Sequence, residues 1–240
     1  MLFTLTTWFV LGTAGMALGT VVLAWGYTYI PESTRRAYVD VVAVTAIATV
    51  AYGLMALDIG AITNARGYEL YVPRYVDWLL TTPLHVVFIG YLAGADRATL
   101  GKLAGLQAAT IVLGFVGAVV AAPLNYVFFA AGSAVFGVLV YWLYNGLGVM
   151  AGERDDRQQA LYRKLRNFVV VLWLVYPVIW LLSGAAFGLM DGETSSLVIT
   201  YIDVVAKVGF GLIAFNDLQT VTGLDRHRGG TVGDATVGDD

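Results

Sequence analysis

The chain has 240 residues, of which 58% are hydrophobic and 13% are charged, and its net charge is −3. Ordinary soluble domains carry about 25% charged residues, so this composition indicates a protein surrounded by lipid. The lack of cysteine excludes disulfides, thiolate catalysis and cysteine-ligated metals. With two histidines, the chain has few residues for a histidine-ligated metal site. The small net charge gives no reason to expect nucleic-acid binding.

Seven apolar segments are long enough to cross a membrane, which takes about 20 mostly apolar residues. The first segment has no basic residue ahead of it and is longer than the apolar core of a signal peptide, so we interpret it as a membrane helix. The sequence therefore predicts an all-α membrane protein with seven transmembrane helices. The predicted spans are Leu2–Tyr27, Tyr38–Leu57, Val72–Ala93, Leu100–Ala121, Tyr126–Met150, Leu161–Leu182 and Ser196–Leu218.

Basic residues are distributed unevenly over the predicted loops, and this sets the expected orientation. If the N-terminus lies outside, Arg66 is the only basic residue in an outer loop, and the remaining loop and tail Lys and Arg face inward. Loops rich in Lys and Arg stay in the cytoplasm, so we expect the N-terminus outside and the C-terminus in the cytoplasm. We expect residues 1–220 to form one seven-helix domain and the Gly- and Asp-rich residues 221–240 to form a disordered cytoplasmic tail.

Four charged residues lie inside the third and seventh predicted helices. In RYVDWLLTTPL, Arg74 and Asp77 are three residues apart; in YIDVVAKVGFG, Asp203 and Lys207 are four apart. Each pair therefore shares a helix face. Ionised groups in a bilayer are costly and almost always face the bundle interior with a partner, so we expect one internal cluster of two cations and two anions. A purely structural cluster is the alternative, but buried ion pairs contribute little to stability, which favours a chemical task.

The lysine and the aromatic residues of the sixth helix indicate what that task is. A buried lysine suits Schiff-base chemistry, because desolvation frees its amine. The segment WLVYPVIW places Trp173, Tyr176 and Trp180 on one stripe, with Pro177 beside them. Such stripes are usually core, but at the depth of a reactive lysine they would form a flat apolar slot suited to a conjugated chain.

Three motifs, in order along the chain, resemble the archaeal microbial (type 1) rhodopsins: RYVDWLLTTPL, VLWLVYPVIWLL and IDVVAKVGFG. The resemblance covers all seven helices. It implies that retinal forms a protonated Schiff base with Lys207, and that Asp77 is its primary counterion and proton acceptor. It also implies that Asp203 is a second counterion and that Arg74 completes the complex on the outer side. The retinal pocket that it implies consists of Tyr52, Tyr75, Trp78, Thr81, Thr82, Gly132, Phe136, Trp173, Tyr176, Pro177 and Trp180.

Position 88 favours a receptor over a proton pump. Pumps of this family carry a carboxylic acid eleven residues after the counterion, whereas this chain has Phe88, which cannot deliver a proton. The resulting slow cycle suits a photosensory receptor that signals through a two-helix membrane transducer, as sensory rhodopsin II does. Asp77 argues against a chloride pump, in which a small hydroxyl residue stands there. A slow outward proton pump of the bacteriorhodopsin type remains the alternative.

Other positions are divided between the two patterns. Phe129 and Gly132 resemble sensory rhodopsin II, and Tyr201 stands where that protein has a tyrosine facing its transducer, although a packing aromatic is equally consistent. Ala206, next to the lysine, resembles the pumps, so an intermediate "middle" rhodopsin stays open. We expect no enzyme activity and a multi-pass protein of the cell membrane in contact with lipid, and we leave homo-oligomerisation open.

Two further residues could carry protons. His85 lies two turns beyond the counterion on the third helix, where we favour a hydrogen-bonded structural histidine over a relay. Asp40, near the inner end of the second helix, is the one candidate to replace the missing donor, although a solvated acid near the interface is the favoured interpretation.

Overall fold

The computed structural model describes residues 4–218 and contains a long apolar helix at each of the seven predicted positions. The predicted seven-helix, all-α membrane fold is thereby confirmed. The predicted tail, residues 221–240, lies outside the described residues. The helices are α1 (Leu5–Tyr29), α2 (Glu32–Ala56), α3 (Val72–Ala93), α4 (Arg97–Val119), α5 (Leu124–Gly152), α6 (Asp156–Leu182) and α7 (Gly192–Leu218).

Five helices, α2 and α4 to α7, begin before the predicted apolar segments, and polar side chains cap three of them, α4, α6 and α7. The third helix has the predicted bounds, Val72–Ala93, whereas α6 begins earlier, at Asp156. The side chain of Asp155 caps α6, and that of Asp191 caps α7 by accepting the Thr194 amide at 2.7 Å. Such caps satisfy N–H groups that have no partner in the first turn. The hydrogen bonds from Thr194 lower the pKa of Asp191, so this cap is lost only as the pH falls through that lowered value.

A short antiparallel hairpin, which we did not predict, joins α2 to α3. It consists of β1 (Ala61–Thr63) and β2 (Glu69–Tyr71), paired in register. The side chain of Asn64 accepts the backbone amides of Arg66 and Tyr68, each at 2.9 Å, and so closes the turn. The second strand lies against the central cavity described below.

The helices surround a common interior. From α1 to α5 each helix packs against the next, and α7 packs against α1 and α2, which closes the bundle. The charged helices α3 and α7 are the most buried. Large apolar side chains such as Leu18, Val21 and Val50 are about two-thirds exposed on the outside. An apolar surface of this extent is stable in contact with lipid, as expected of a multi-pass membrane protein.

Three described helices contain irregular segments away from their ends: that of α5, Trp142–Gly146, is not part of the cavity wall, whereas those of α6 and α7 lie at the centre. A π-helical segment of α7, Val205–Gly209, contains Lys207. In α6 the helix is interrupted at Leu174, because Pro177 has no N–H to donate to the carbonyl group of Trp173. π-Helical segments occur often at functional sites. The irregular segments of α6 and α7 contribute side chains to the same cavity.

Candidate functional site

A cavity of about 250 Å³ lies in the interior of the bundle, and Lys207 and Asp203 are part of its wall. Nine of the eleven residues predicted to form the pocket line it. These are Tyr75, Trp78, Thr82, Gly132, Phe136, Trp173, Tyr176, Pro177 and Trp180. The other two, Tyr52 and Thr81, do not line the cavity: Tyr52 lies behind Asp203, and the Thr81 hydroxyl donates to the carbonyl group of Asp77.

The aromatic walls hold one another in place. Trp78 meets Tyr176 edge to face, with ring centroids 5.1 Å apart, and Tyr75 meets Trp78 at 5.4 Å. Phe129 stacks on Trp180 with centroids 4.5 Å apart and ring planes 18° apart. Contacts of this kind between aromatic rings are favourable beyond their burial. The cavity is therefore a rigid, flat-walled slot with a buried amine in its wall.

The sequence analysis did not assign Gln107 and Ser133 to the cavity, which both residues line. Gln107 is buried, and its side-chain nitrogen donates to the Thr82 hydroxyl at 2.8 Å, which links α4 to α3. A signal was present in the sequence, because an amide within the otherwise apolar segment LAGLQAATIVL must find a partner inside the bundle.

Three of the four predicted buried charges form one cluster. The amine of Lys207 donates to Asp77 Oδ2 and lies 3.8 Å from Asp203 Oδ2. All three side chains are at most 2% exposed. Burying charges is costly unless they are paired, so the close contact of the amine with both carboxylates is what makes their burial possible.

The two carboxylates differ in how many donors they have. Asp203 accepts the hydroxyl group of Tyr52 at 2.7 Å, the indole N–H of Trp78 at 3.1 Å and the hydroxyl group of Tyr176. Hydrogen bonds of this number stabilise an ionised carboxylate. In contrast, Asp77 Oδ1 is buried without a hydrogen-bond partner among residues 4–218. Of the two carboxylates, Asp77 is therefore the one with an oxygen atom that no hydrogen-bond donor of the described chain occupies.

A close approach of α1 fixes the tyrosine behind Asp203. Gly12 lies against the ring of Tyr52, and a methyl group at that position would come within 2.9 Å of Thr200 Cγ2 as well as colliding with the ring. Only a residue without Cβ leaves the space that Tyr52 occupies, so Gly12 helps to hold the hydroxyl group against the carboxylate.

Arg74 does not join the cluster, and our expectation of a four-charge arrangement is wrong in this respect. Its guanidinium carbon lies 5.4 Å from the ring centroid of Phe9, and within the described part of the chain it forms no salt bridge. Its Nε and Nη2 are buried without partners in that same part. The spacing of Arg74 and Asp77 places them on one face, but it does not fix where a long side chain ends.

On the other side of Lys207 the bundle is packed with apolar residues. Phe88 is 1% exposed, and its ring lies 5.6 Å from that of Phe210, which in turn lies 4.5 Å from His85. Ile89 and Leu143 belong to the same apolar cluster. Phe88 is thus buried in the interior and packs against another aromatic ring.

Two further residues from the sequence analysis, Tyr201 and Asp40, lie away from the cavity. Tyr201 is 69% exposed on the outer face of α7. Asp40 is partly buried on α2 and is not part of the cavity wall.

Comparison with known proteins finds relatives that match nearly the whole chain. The family profile described as "Bacteriorhodopsin-like protein" matches residues 3–221. Sensory rhodopsin-2 of Haloarcula vallismortis is 58% identical to this chain, over 88% of this chain and 89% of that protein. Sensory rhodopsin-2 of Natronomonas pharaonis is 41% identical, over 90% of each chain. The solved structure of thermophilic rhodopsin from Rubrobacter xylanophilus matches with a TM-score of 0.86 at 31% identity, over 90% of this chain and 96% of the other.

Proposed function

The chain belongs to the bacteriorhodopsin-like family, and we propose that its retinal is attached to Lys207 and that Asp77 holds the linkage protonated. The protein is a retinal photosensory receptor with retinal bound as a Schiff base. One observation carries the assignment of residues: a lysine amine, buried and paired with a carboxylate, lies in the wall of an aromatic cavity. Flat rings on both sides suit a conjugated chain, and the paired amine suits a linkage that has to remain cationic.

The roles of the chain's own groups follow from their hydrogen bonds. When bound, retinal supplies a conjugated chain that isomerises in light and a Schiff-base proton on the Lys207 nitrogen. Asp77 accepts that proton at Oδ2, which the Lys207 nitrogen contacts, and its other oxygen, Oδ1, has no hydrogen-bond donor in the described structure. Asp203 already accepts hydrogen bonds from three donors, so we assign it as the second counterion.

We place the cytoplasm on the side of the basic loops, where the return path for the proton passes Phe88. The apolar packing on that side supports slow recovery and hence the receptor over the pump. Lipid vesicles that contain this protein alone should show little light-driven proton transport, because slow recovery limits how many protons each molecule can move per second. The Lys207→Ala protein provides the baseline, and rapid, sustained acidification or alkalinisation well above that baseline would favour a proton pump over the receptor.

Phe88→Asp should accelerate recovery. Burial among aromatic rings favours the neutral acid, which carries a proton toward the Lys207 nitrogen. A positioned acid typically contributes a factor of 10²–10⁴, so roughly tenfold faster return of the resting absorption after a flash is a conservative expectation. In the wild type the rate should fall as the pH rises, and in Phe88→Asp it should lose much of this dependence.

Phe88→Leu is the control for this variant, because it changes the packing without adding an acid. If Phe88→Asp and wild type recover equally fast at every pH, another group already supplies the proton, and Asp40 is the first to test.

We propose that a two-helix transducer docks on the face of α7 that carries Tyr201. The sensory rhodopsins among the relatives support a transducer partner. In mixed vesicles with a candidate transducer, Tyr201→Ala should weaken co-purification, because a large ring is lost from the contact. Tyr141→Ala is the matched control, since Tyr141 is 64% exposed on α5. Equal losses in both variants would indicate a general effect of removing a lipid-facing tyrosine and would contradict docking at Tyr201.

A further inference from the structure

His85 is a buried ionisable residue of the cavity wall to which the mechanism above gives no role. Its side chain is 2% exposed. Nδ1 lies 3.1 Å from the carbonyl oxygen of Thr81, and because a carbonyl only accepts, Nδ1 must carry the ring hydrogen. Nε2 therefore presents a lone pair, and it has no hydrogen-bond partner in the described structure. We expected a structural histidine held by hydrogen bonds. Nδ1 has such a bond, whereas Nε2 has none among the described residues.

His85 occupies a distinct place among the ionisable residues of this wall. It lies two turns beyond Asp77 on α3, between the ring of Trp173 at 6.1 Å and that of Phe210 at 4.5 Å. Phe88 follows one turn later. The other ionisable residues of the wall lie on the opposite side of Lys207 from His85. They belong to the charge cluster, lie near it, or lie toward the hairpin. They are Tyr68, Glu69, Tyr71, Arg74, Tyr75, Tyr176 and Asp203.

We propose that His85 is the relay through which the Lys207 nitrogen recovers its proton. Nε2 takes a proton from water that arrives past Phe88, and the imidazolium keeps its Nδ1–H bond to the Thr81 carbonyl group. The Nε2 proton then passes to Nζ of Lys207, and the ring returns to its starting neutral form. The relay needs no change of tautomer. This inference rests on the proposed attachment of retinal to Lys207.

The charge on Lys207 determines when the relay can load. Lys207 and His85 line the same cavity, and the imidazole contacts the Thr81 carbonyl group and the rings of Trp173 and Phe210. Two cations in one dry cavity repel each other, so the imidazolium is disfavoured while Nζ holds its proton. Once that proton has moved to Asp77 the repulsion ends. His85 can then accept a proton at the stage when one is needed.

Flash photolysis of His85 variants tests the relay. His85→Gln keeps a hydrogen-bonding side chain and His85→Leu keeps the volume, and neither can carry a proton. Both should slow the return of the resting absorption on the order of 10²-fold, the lower range for a positioned acid. In His85→Ala, added imidazole should restore much of the rate, while wild type should not respond. His227→Gln is the matched control, because it removes the only other histidine.

The possible outcomes separate the relay from the attachment on which it rests. A wild-type protein without a visible band would refute the attachment at Lys207. Coloured variants that recover at the wild-type rate would refute the relay alone. Slowing in His85→Leu but not in His85→Gln, or slowing that imidazole does not relieve, would show that His85 acts only through packing.

A second measurement does not depend on the photocycle. In ¹⁵N-histidine-labelled His227→Gln protein kept in the dark, the single remaining imidazole should be neutral, with its hydrogen on Nδ1. A resting imidazolium, or a hydrogen on Nε2, would contradict the relay, because Nε2 would have no free lone pair with which to load.

Discussion

Lys207→Ala should abolish the visible absorption band that the wild-type protein acquires with retinal. Lys207 is the buried lysine in the wall of the aromatic cavity, and alanine has no amine to form the linkage. The change also leaves Asp77 and Asp203 without their cation, which typically costs about 3–5 kcal/mol. Lys207→Arg avoids this loss, because it keeps a positive charge but cannot form a Schiff base. Both variants should be colourless by absorption spectroscopy after incubation with retinal.

Two controls guard this result against misfolding. Lys164→Ala removes an exposed lysine that pairs with Asp217 and should keep the full band. The Lys207→Ala protein should regain colour with a preformed retinal Schiff base of a short alkylamine, since the cavity is otherwise intact. A band in Lys207→Arg with free retinal would show that the attachment is elsewhere.

Asp77→Asn should shift the absorption to longer wavelength and remove the acid-induced colour change. The carboxylate stabilises the positive charge on the nitrogen more in the ground state than in the excited state. Its loss therefore lowers the excitation energy between these two states. Two unit charges about 4 Å apart interact by about 4 kcal/mol at an effective dielectric constant of 20, which gives the order of magnitude of the interaction that is lost. In wild type, acidification should produce a similar red shift as Asp77 takes up a proton.

A spectroscopic pH titration checks both statements. Asp40→Asn is the matched control, because it removes a carboxylate of α2 that lies outside the cavity wall, and it should keep the acid transition. If Asp77→Asn still shows the wild-type red shift in acid, the proton goes to Asp203, and the two carboxylates have exchanged roles.

The sequence was sufficient to predict the helices because a bilayer imposes a simple rule. Spans of about 20 apolar residues must be helical, since lipid offers no partner for backbone N–H and C=O groups. The bounds of α3 were predicted correctly, but α6 and α7 began too late in the prediction, because caps such as Asp191 let polar residues continue the helix beyond the lipid. The hairpin was missed because its three-residue strands carry no periodic pattern.

The charge cluster was predictable in its members but not in its connections. Spacing alone placed Asp77, Asp203 and Lys207 in the interior, and the structure joins them. Spacing did not indicate that Asp203 would accept hydrogen bonds from three different helices, because those bonds depend on how the helices pack. For the same reason the position of the Arg74 guanidinium, beside Phe9 rather than a carboxylate, was not predictable from the i, i+3 rule.

The cavity wall shows the same limit. The aromatic stripe of α6 was visible in the sequence as Trp173, Tyr176 and Trp180, and all three line the cavity. Tyr52 also faces the interior, but it lies behind Asp203 rather than in the wall. Helical periodicity identifies which face of a helix is inside, whereas depth within the bundle depends on the side chains of its neighbours.

The most direct test of the central claim is to locate the retinal on the chain. Borohydride reduction would make the linkage permanent, and mass spectrometry of the proteolysed protein would show which of the three lysines, Lys102, Lys164 or Lys207, carries it. The account predicts one retinyl group, on the peptide that contains Lys207. A retinyl group on Lys102 or Lys164, or a coloured protein with no modified lysine after reduction, would contradict it.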